Sequence, residues 1–369
     1  MTRLAFPTLG IVALSLSIGT LLNAQTVTDP VGVVKININA ATASGPTFTF
    51  LSTSMSQEVA YQGTVSSGAA GTVTLTGAGW TTNQFATDAN YASHYIIVAS
   101  GTREGELIDI VSNDADTLTL DTSEDQNDLS THSIRIYKHN TIASIFGTDP
   151  GAGTVQKGNK DTADLILTFN SLTGAYETYY FNTATNPLPV GGVFHQGWVK
   201  STALTEDAAS KPIYPDDGFL YKRVPMSSYS VSVNGSVIMS QIKVPVINGY
   251  NLITIPYPVD KSITLATSGL RPGNGETFDS NIHLAAGNKD TADHVVIFNN
   301  SSQSFETYYF NNASNPLPVG GVFHQGWVKS TQLTADAATT QIPAGTAIFI
   351  LRRNGNPAFN WTFDSVVSE

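Results

Sequence analysis

The chain has 369 residues, no cysteine, 29 Asp and Glu against 18 Lys and Arg, and 13% charged residues, where an ordinary soluble domain has about 25%. A net charge of -11 leaves no phosphate-neutralising face for nucleic acid, and the missing cysteine excludes a disulfide framework. Eleven Lys and nine Glu are too few for a largely helical protein, while 31 Gly and a dense scatter of Thr, Ser and Asn favour strands joined by tight turns.

In chain order, Arg3 precedes an apolar run from Leu4 to Leu22, and Leu22-Asn23-Ala24 ahead of Gln25 has the form of a cleavage site. Residues 1–24 therefore read as a signal peptide, which implies export. Pro7, Gly10 and the Ser/Thr content make the run a poor membrane span, so no transmembrane anchor is expected after cleavage. Loss of Arg3 leaves 17 basic against 29 acidic residues, a net charge of -12. PTFTFLSTSMS from Pro46 reads as a strand. Residues 69–138 read as a small antiparallel unit with strands at Thr72 to Thr76, Tyr95 to Val98, Glu106 to Val111, Thr117 to Leu120 and Ile134 to Tyr137, closely enough spaced to curl into a barrel. Short helices are expected at Thr141 to Phe146 and at Thr205 to Ala209, with Thr205 capping the second. Ser230 to Met239 reads as a hairpin turning at Asn234-Gly235.

An internal repeat organises the rest. Aligned without gaps at an offset of 129, Gly158 to Thr205 matches Gly287 to Thr334 at 35 of 48 positions, and the 17 residues of NPLPVGGVFHQGWVKST from Asn186 and from Asn315 are identical. PIYPDDGFLYKR from Pro212 and QIPAGTAIFILRR from Gln341 are each a turn cluster feeding an apolar strand that ends in Arg. YNLITIPYPVD from Tyr250 stands where PTFTFLSTSMS stands in the first copy. The expected organisation is all-β: tandem sandwich- or barrel-like modules at 25–68 with 139–228 and at 229–369, the first holding the 69–138 barrel.

Four groups of residues have chemistry to offer. Asp161-Thr162-Ala163 and Asp290-Thr291-Ala292 have the spacing of a paired-aspartate loop, but Ala stands where such a loop needs glycine, and a turn in which Asn159 and Asp161 bond local backbone is the better account. Asp161 and Asp164, with Asp290 and Asp293, offer calcium-type oxygens without the spacing of a calcium loop. HQGW places His195 and Trp198, and again His324 and Trp327, one set per module, with the tryptophans read first as core plugs. Glu177 and Glu306 are carboxylates without a fixed partner for a glycosidase pair. No GxSxG, HExxH or phosphate loop is present, and no cofactor is expected.

The apolar strand at Tyr250, KHNTIASIFG at Lys138, the aromatic YETYYFN and GW strands and ASGTREGELIDIVSNDADTLTLD from Ala99 together resemble a family of uncharacterised secreted, β-rich bacterial proteins with no assigned activity. The resemblance implies export and a surface or matrix role. A module kept twice suits binding or assembly more than catalysis. The leading expectation is an exported, non-enzymatic structural or adhesion-type protein whose partners are extracellular polysaccharide or copies of itself. A carbohydrate-binding pair would use Tyr179, Tyr180, His195 and Trp198 with Tyr308, Tyr309, His324 and Trp327. A polymer hydrolase comes third.

Overall fold

The computed structural model describes residues 30–364 except 89, 186, 189–191, 258–262, 274–275, 314–315, 318–320 and 343–344. The expected leader lies outside the described residues. The fold is all-β: the strand pairs are antiparallel, and the only α-helix among the described residues is Ile142–Phe146. Thr141 caps that helix through a reciprocal box with Ser144. No helix among the described residues is long and apolar enough to cross a membrane.

Two five-stranded sheets share one plan. The first runs Gly197–Lys200, Ala175–Asn182, Leu165–Asn170, Phe219–Arg223, Thr47–Leu51, and the second Gly326–Lys329, Ser304–Asn311, His294–Asn299, Ile348–Arg352, Gly249–Ile253. Four strands correspond at the 129-residue offset, and the fifth are the strands read at Pro46 and Tyr250. Side chains alternate between faces along each strand. One face of the first sheet, carrying Ile166, Tyr179, Phe181, Trp198, Phe219 and Tyr221, is closed by the short helix and by a ribbon pairing Val31–Ile38 with Tyr229–Ser236. A ribbon of Ile242–Val246 with Phe359–Phe363 does the same for the second sheet.

The other faces meet each other. Phe50 and Leu220 pack against Leu252, Phe298 and Phe349. Phe50 stacks on Phe298 at 4.5 Å, and Phe169 meets Phe349 edge-on at 5.4 Å. Each such aromatic pair adds about 0.5–1.5 kcal/mol beyond the area it buries. The joint is reciprocal at the backbone as well. Ser52 N donates to the Gly345 carbonyl at 3.2 Å, while Thr254 N donates to the Asp216 carbonyl, the Gly345 counterpart, at 3.0 Å. The copies are thus related by a pseudo-two-fold axis, in the manner of an isologous dimer within one chain.

Several expectations need correction. Asn234-Gly235 does not turn: Tyr229–Ser236 runs straight through it, with Gly235 opposite Gly32. Glycine is needed at 235 because a Cβ there would lie 2.1 Å from the Ser56 carbonyl oxygen. Val231 and Val233 fill the first core, so this strand closes the first copy instead of opening the second at 229. Residues 205–209 are irregular, with turn at 205 and 209 and a bend at 206, not a helix. The insertion begins at Val59, earlier than residue 69, because Val59–Thr64 pairs with Ser133–Lys138.

Its sheet is an open one of seven strands, in the order Val59–Thr64, Ser133–Lys138, His94–Val98, Leu107–Asn113, Thr117–Leu120, Thr72–Thr74, Ser67–Ala69. A bulge between Ile110 and Ser112 bends it around its own core. The two end strands are consecutive in sequence, so the chain bridges the seam at Val65 and Ser66, and no ladder closes a barrel. Tyr95, Ile97 and Tyr137 of the insertion enter the second copy's core, and Lys243 N donates to the Gly105 carbonyl at 2.9 Å. The insertion therefore ties one copy to the other.

Candidate functional site

The aromatic candidates are interior. Trp198, Trp327, Tyr179, Tyr180, Tyr308 and Tyr309 are all at most 5% exposed, and Trp198 Nε1 donates to the Gly147 carbonyl at 2.8 Å. A sugar platform needs open ring faces, and both faces of these sheets are covered. Trp198 and Trp327 are core plugs.

The Asp-rich turns are also structural. Asn159 Oδ1 accepts from Asp161 N and Thr162 N at 2.9 and 3.1 Å, the local turn expected, and Asn288 repeats it with Asp290 and Thr291. Asp164 and Asp293 are buried and committed to protein donors. Asp164 receives Arg223 Nη1 at 2.6 Å, Tyr221 OH and Gln156 N at 2.8 and 2.9 Å, and Val224 N at 2.8 Å. Asp293 receives Arg352 Nη1 at 2.5 Å, Ala285 N and Arg353 N. Their oxygens are spent on locking the loop before each sheet to the Arg that ends Phe219–Arg223 or Ile348–Arg352, which leaves little for a calcium ion.

His195 and His324 have matching surroundings, with a cleft beside the first. Gln196 is a bend and the strand starts at Gly197, so HQGW is not one continuous strand. Gly197 and Gly326 adopt φ of +141° and +135°, and a Cβ on either would come within 2.9 Å of the folded-back histidine ring. The ring Nε2 lies 3.4 Å from Asp207 in the first copy and 3.4 Å from Asp336 in the second, each histidine about one-third exposed. Asn182 and Asn311 fix the histidine carbonyls, both at 2.8 Å. A cation stands over the neighbouring phenylalanine in each copy, Lys157 over Phe181 at 4.9 Å and Arg271 over Phe310 at 4.3 Å, although the two cations come from unrelated positions. The cleft beside His195 encloses about 590 Å³ among Asp149, Lys157, Phe181, His195 and Asp207. Val193 and Val322, just ahead of it in the identical segment, are 69% and 70% exposed.

A second constellation occurs only where the insertion meets the first copy. Glu177 accepts from Lys200 Nζ at 2.6 Å and from Tyr179 OH at 2.8 Å, with Lys211 Nζ 3.7 Å away. Burial alone would raise the Glu177 pKa, but those donors and the two ammonium charges outweigh it and hold the carboxyl below the usual range. Lys211 also lies 5.7 and 6.0 Å from the Tyr91 and Tyr179 rings. Beyond it, Asp109 accepts from Tyr214 OH at 2.5 Å and faces His139 Nε2 at 2.9 Å. Asp216 is 9% exposed with an unpartnered Oδ1, and burial, reinforced by the Asp109 charge, pushes it up to about 6. Asp217 next to it is exposed at the surface.

Sequence reading found Glu177 and missed its surroundings. The signal was present in the repeat: Lys211, Asp216 and Asp217 align with Thr340, Gly345 and Thr346, so the charge exists in one copy alone. In the second copy Glu306 keeps Lys329 at 3.1 Å and Tyr308 OH at 2.6 Å and nothing further of this set. Among the described residues no group of three or more metal-ligating side chains is assembled. No protein-family model, curated protein or solved structure matches the chain.

Proposed function

We propose that this is an exported, non-enzymatic adhesion-type protein that engages an extracellular surface through two equivalent sites, the His195–Asp207 and His324–Asp336 pairs. One observation carries the reading. His195 and His324, each inside a segment identical in both copies, keep the same 3.4 Å separation from a carboxylate, while the sheet residues 165–176 and their counterparts have diverged at most positions. Fold maintenance does not demand that difference, because both diverged strands form the same ladder. The rigid face-to-face joint fixes the distance between the two sites, which is what bivalent attachment requires.

The test is retention of the mature chain on immobilised bacterial exopolysaccharide and on immobilised mature chain itself. The expected result is retention on one of these surfaces. His195→Ala or His324→Ala alone should weaken it by about a hundredfold, through loss of avidity, and the double substitution should abolish it with Tm unchanged. Equal retention by the wild type and the double variant would remove the reading.

A further inference from the structure

We propose that the cleft between Glu177 and Asp217, whose Lys211 and Asp217 have Thr340 and Thr346 as their counterparts in the second copy, binds a single neutral sugar unit. The cleft encloses about 280 Å³ and is lined by Thr168, Asn170, Glu177, Lys211 and Asp217, with Phe169, Leu172, Pro212, Ile213 and Phe219 as apolar wall. That volume lies just below the usual range of ligand sites, about 300–1,000 Å³, and so admits at most a ligand of one ring.

Charge selects the class. Glu177 is already matched by Lys200 at 2.6 Å and Lys211 at 3.7 Å, so the fixed charges on this wall of the cleft are paired with each other. A charged ligand would leave one partner uncompensated in a partly desolvated space. A neutral polyol meets no such penalty. Each hydroxyl can donate to a carboxylate while accepting from an ammonium, and the Lys211 head stands beside Glu177. Apolar wall contacts suit the C–H face of a pyranose ring.

The site also has a built frame that the second copy lacks. Lys211 and Pro212 form the wall shared with a second cleft of about 380 Å³ that contains Tyr91, Asp109 and Tyr214. Only the first copy has the insertion that supplies Tyr91 and Asp109. At the equivalent place the second copy has Thr340 and Thr346 for Lys211 and Asp217. A sugar site here is therefore single and asymmetric, independent of the paired HQGW sites.

The experiment is saturation-transfer NMR on the full mature chain at millimolar methyl glucosides, galactosides and mannosides, with free glycine, glutamate and lysine as charged probes. The expected result is transfer to at least one glycoside and to none of the amino acids. Lys211→Met and Asp217→Asn should each weaken binding by about tenfold or more, the loss expected for a hydrogen bond to a charged group. Glu306→Gln in the second copy should leave it intact. Transfer to no glycoside, preference for the amino acids, or binding that survives both cleft substitutions would overturn the proposal.

Discussion

Gly218 and Ala347 occupy the same position in the two copies and lie against each other across the pseudo-two-fold axis. A Cβ built on Gly218 would come within 2.2 Å of the Ala347 Cβ, with Leu252 Cγ at 3.2 Å. An axis position must accommodate the contact of a residue with its own counterpart, and there is room here for one methyl group. Gly218→Ala is expected to cost about 1–3 kcal/mol through overpacking. The exchange Gly218→Ala with Ala347→Gly should recover most of that. Urea denaturation of the two single variants and the double variant measures the coupling, and additive effects would mean the methyl groups do not meet.

The two Arg–Asp locks should be equally severe to break. Arg223 and Asp164 are each 1% exposed at 2.6 Å, and Arg352 with Asp293 is fully buried. Asp164→Ala or Asp293→Ala leaves a guanidinium without its counter-ion, at a cost of about 3–5 kcal/mol. Loss of soluble protein or a large drop in Tm is the expected reading for both, and millimolar calcium should not alter the wild-type Tm.

Stability should carry an Asp216 signature in pH. The folded pKa near 6 lies above the ordinary 3.8, so the folded state holds a proton that the unfolded state has released. The contribution is complete below about 3.8 and is lost as pH rises through 6, an effect on the order of 2–3 kcal/mol. His94 works oppositely: burial, then Lys138 and His139, lower its pKa to about 4, so its contribution is present above 6.5 and is lost as pH falls towards 4. The two offset each other in the wild type. Asp216→Asn isolates the first: its Tm should exceed wild type at pH 7.5, and the gap should close by pH 4. A gap independent of pH would contradict this.

Trp198→Ala and Trp327→Ala are expected to act on folding, each costing about 3–5 kcal/mol as cavities in closed cores. Intact Tm with selective loss of surface retention in either variant would place that ring at a ligand instead.

Gln303 has a φ of +51° where its counterpart Gly174 has +66°. An Asn turn builds both hairpins, through Asn170 and Asn299. Glutamine tolerates the left-handed position because its amide holds the other copy: Oε1 accepts from Phe48 N at 2.7 Å and Nε2 donates to the Phe48 carbonyl at 3.1 Å. Gln303→Ala keeps the strain and loses both bonds, with an expected cost of about 1–3 kcal/mol in denaturation.

Local chemistry was legible in sequence and remote pairing was not. Thr141 and Ser144 announce their helix, and Asn159 announces its turn, because the partners lie within three residues. Thr117–Leu120 falls where its alternation placed it. Asn234-Gly235 misled because the partner of that strand is at Val31–Ile38, about two hundred residues away, and a turn-forming pair carries no information about a distant neighbour. Glu177 was visible as a carboxylate and the repeat marked Lys211 as unmatched, but Asp109 reaches these surroundings only through the docking of the insertion, which periodicity does not encode.

The pairing of Val31–Ile38 with Tyr229–Ser236 also sets a schedule. During synthesis at about 5–20 residues per second, the first strand must wait for residue 236 before its ladder exists. The inserted sheet has all its strands by Lys138 and can assemble early, but its Tyr95 and Tyr137 surface stays uncovered until residues beyond 242 arrive. Such non-local closure is slow, and an early-folding island beside an unfinished first copy is the point at which nascent chains of this protein are most exposed to misassembly.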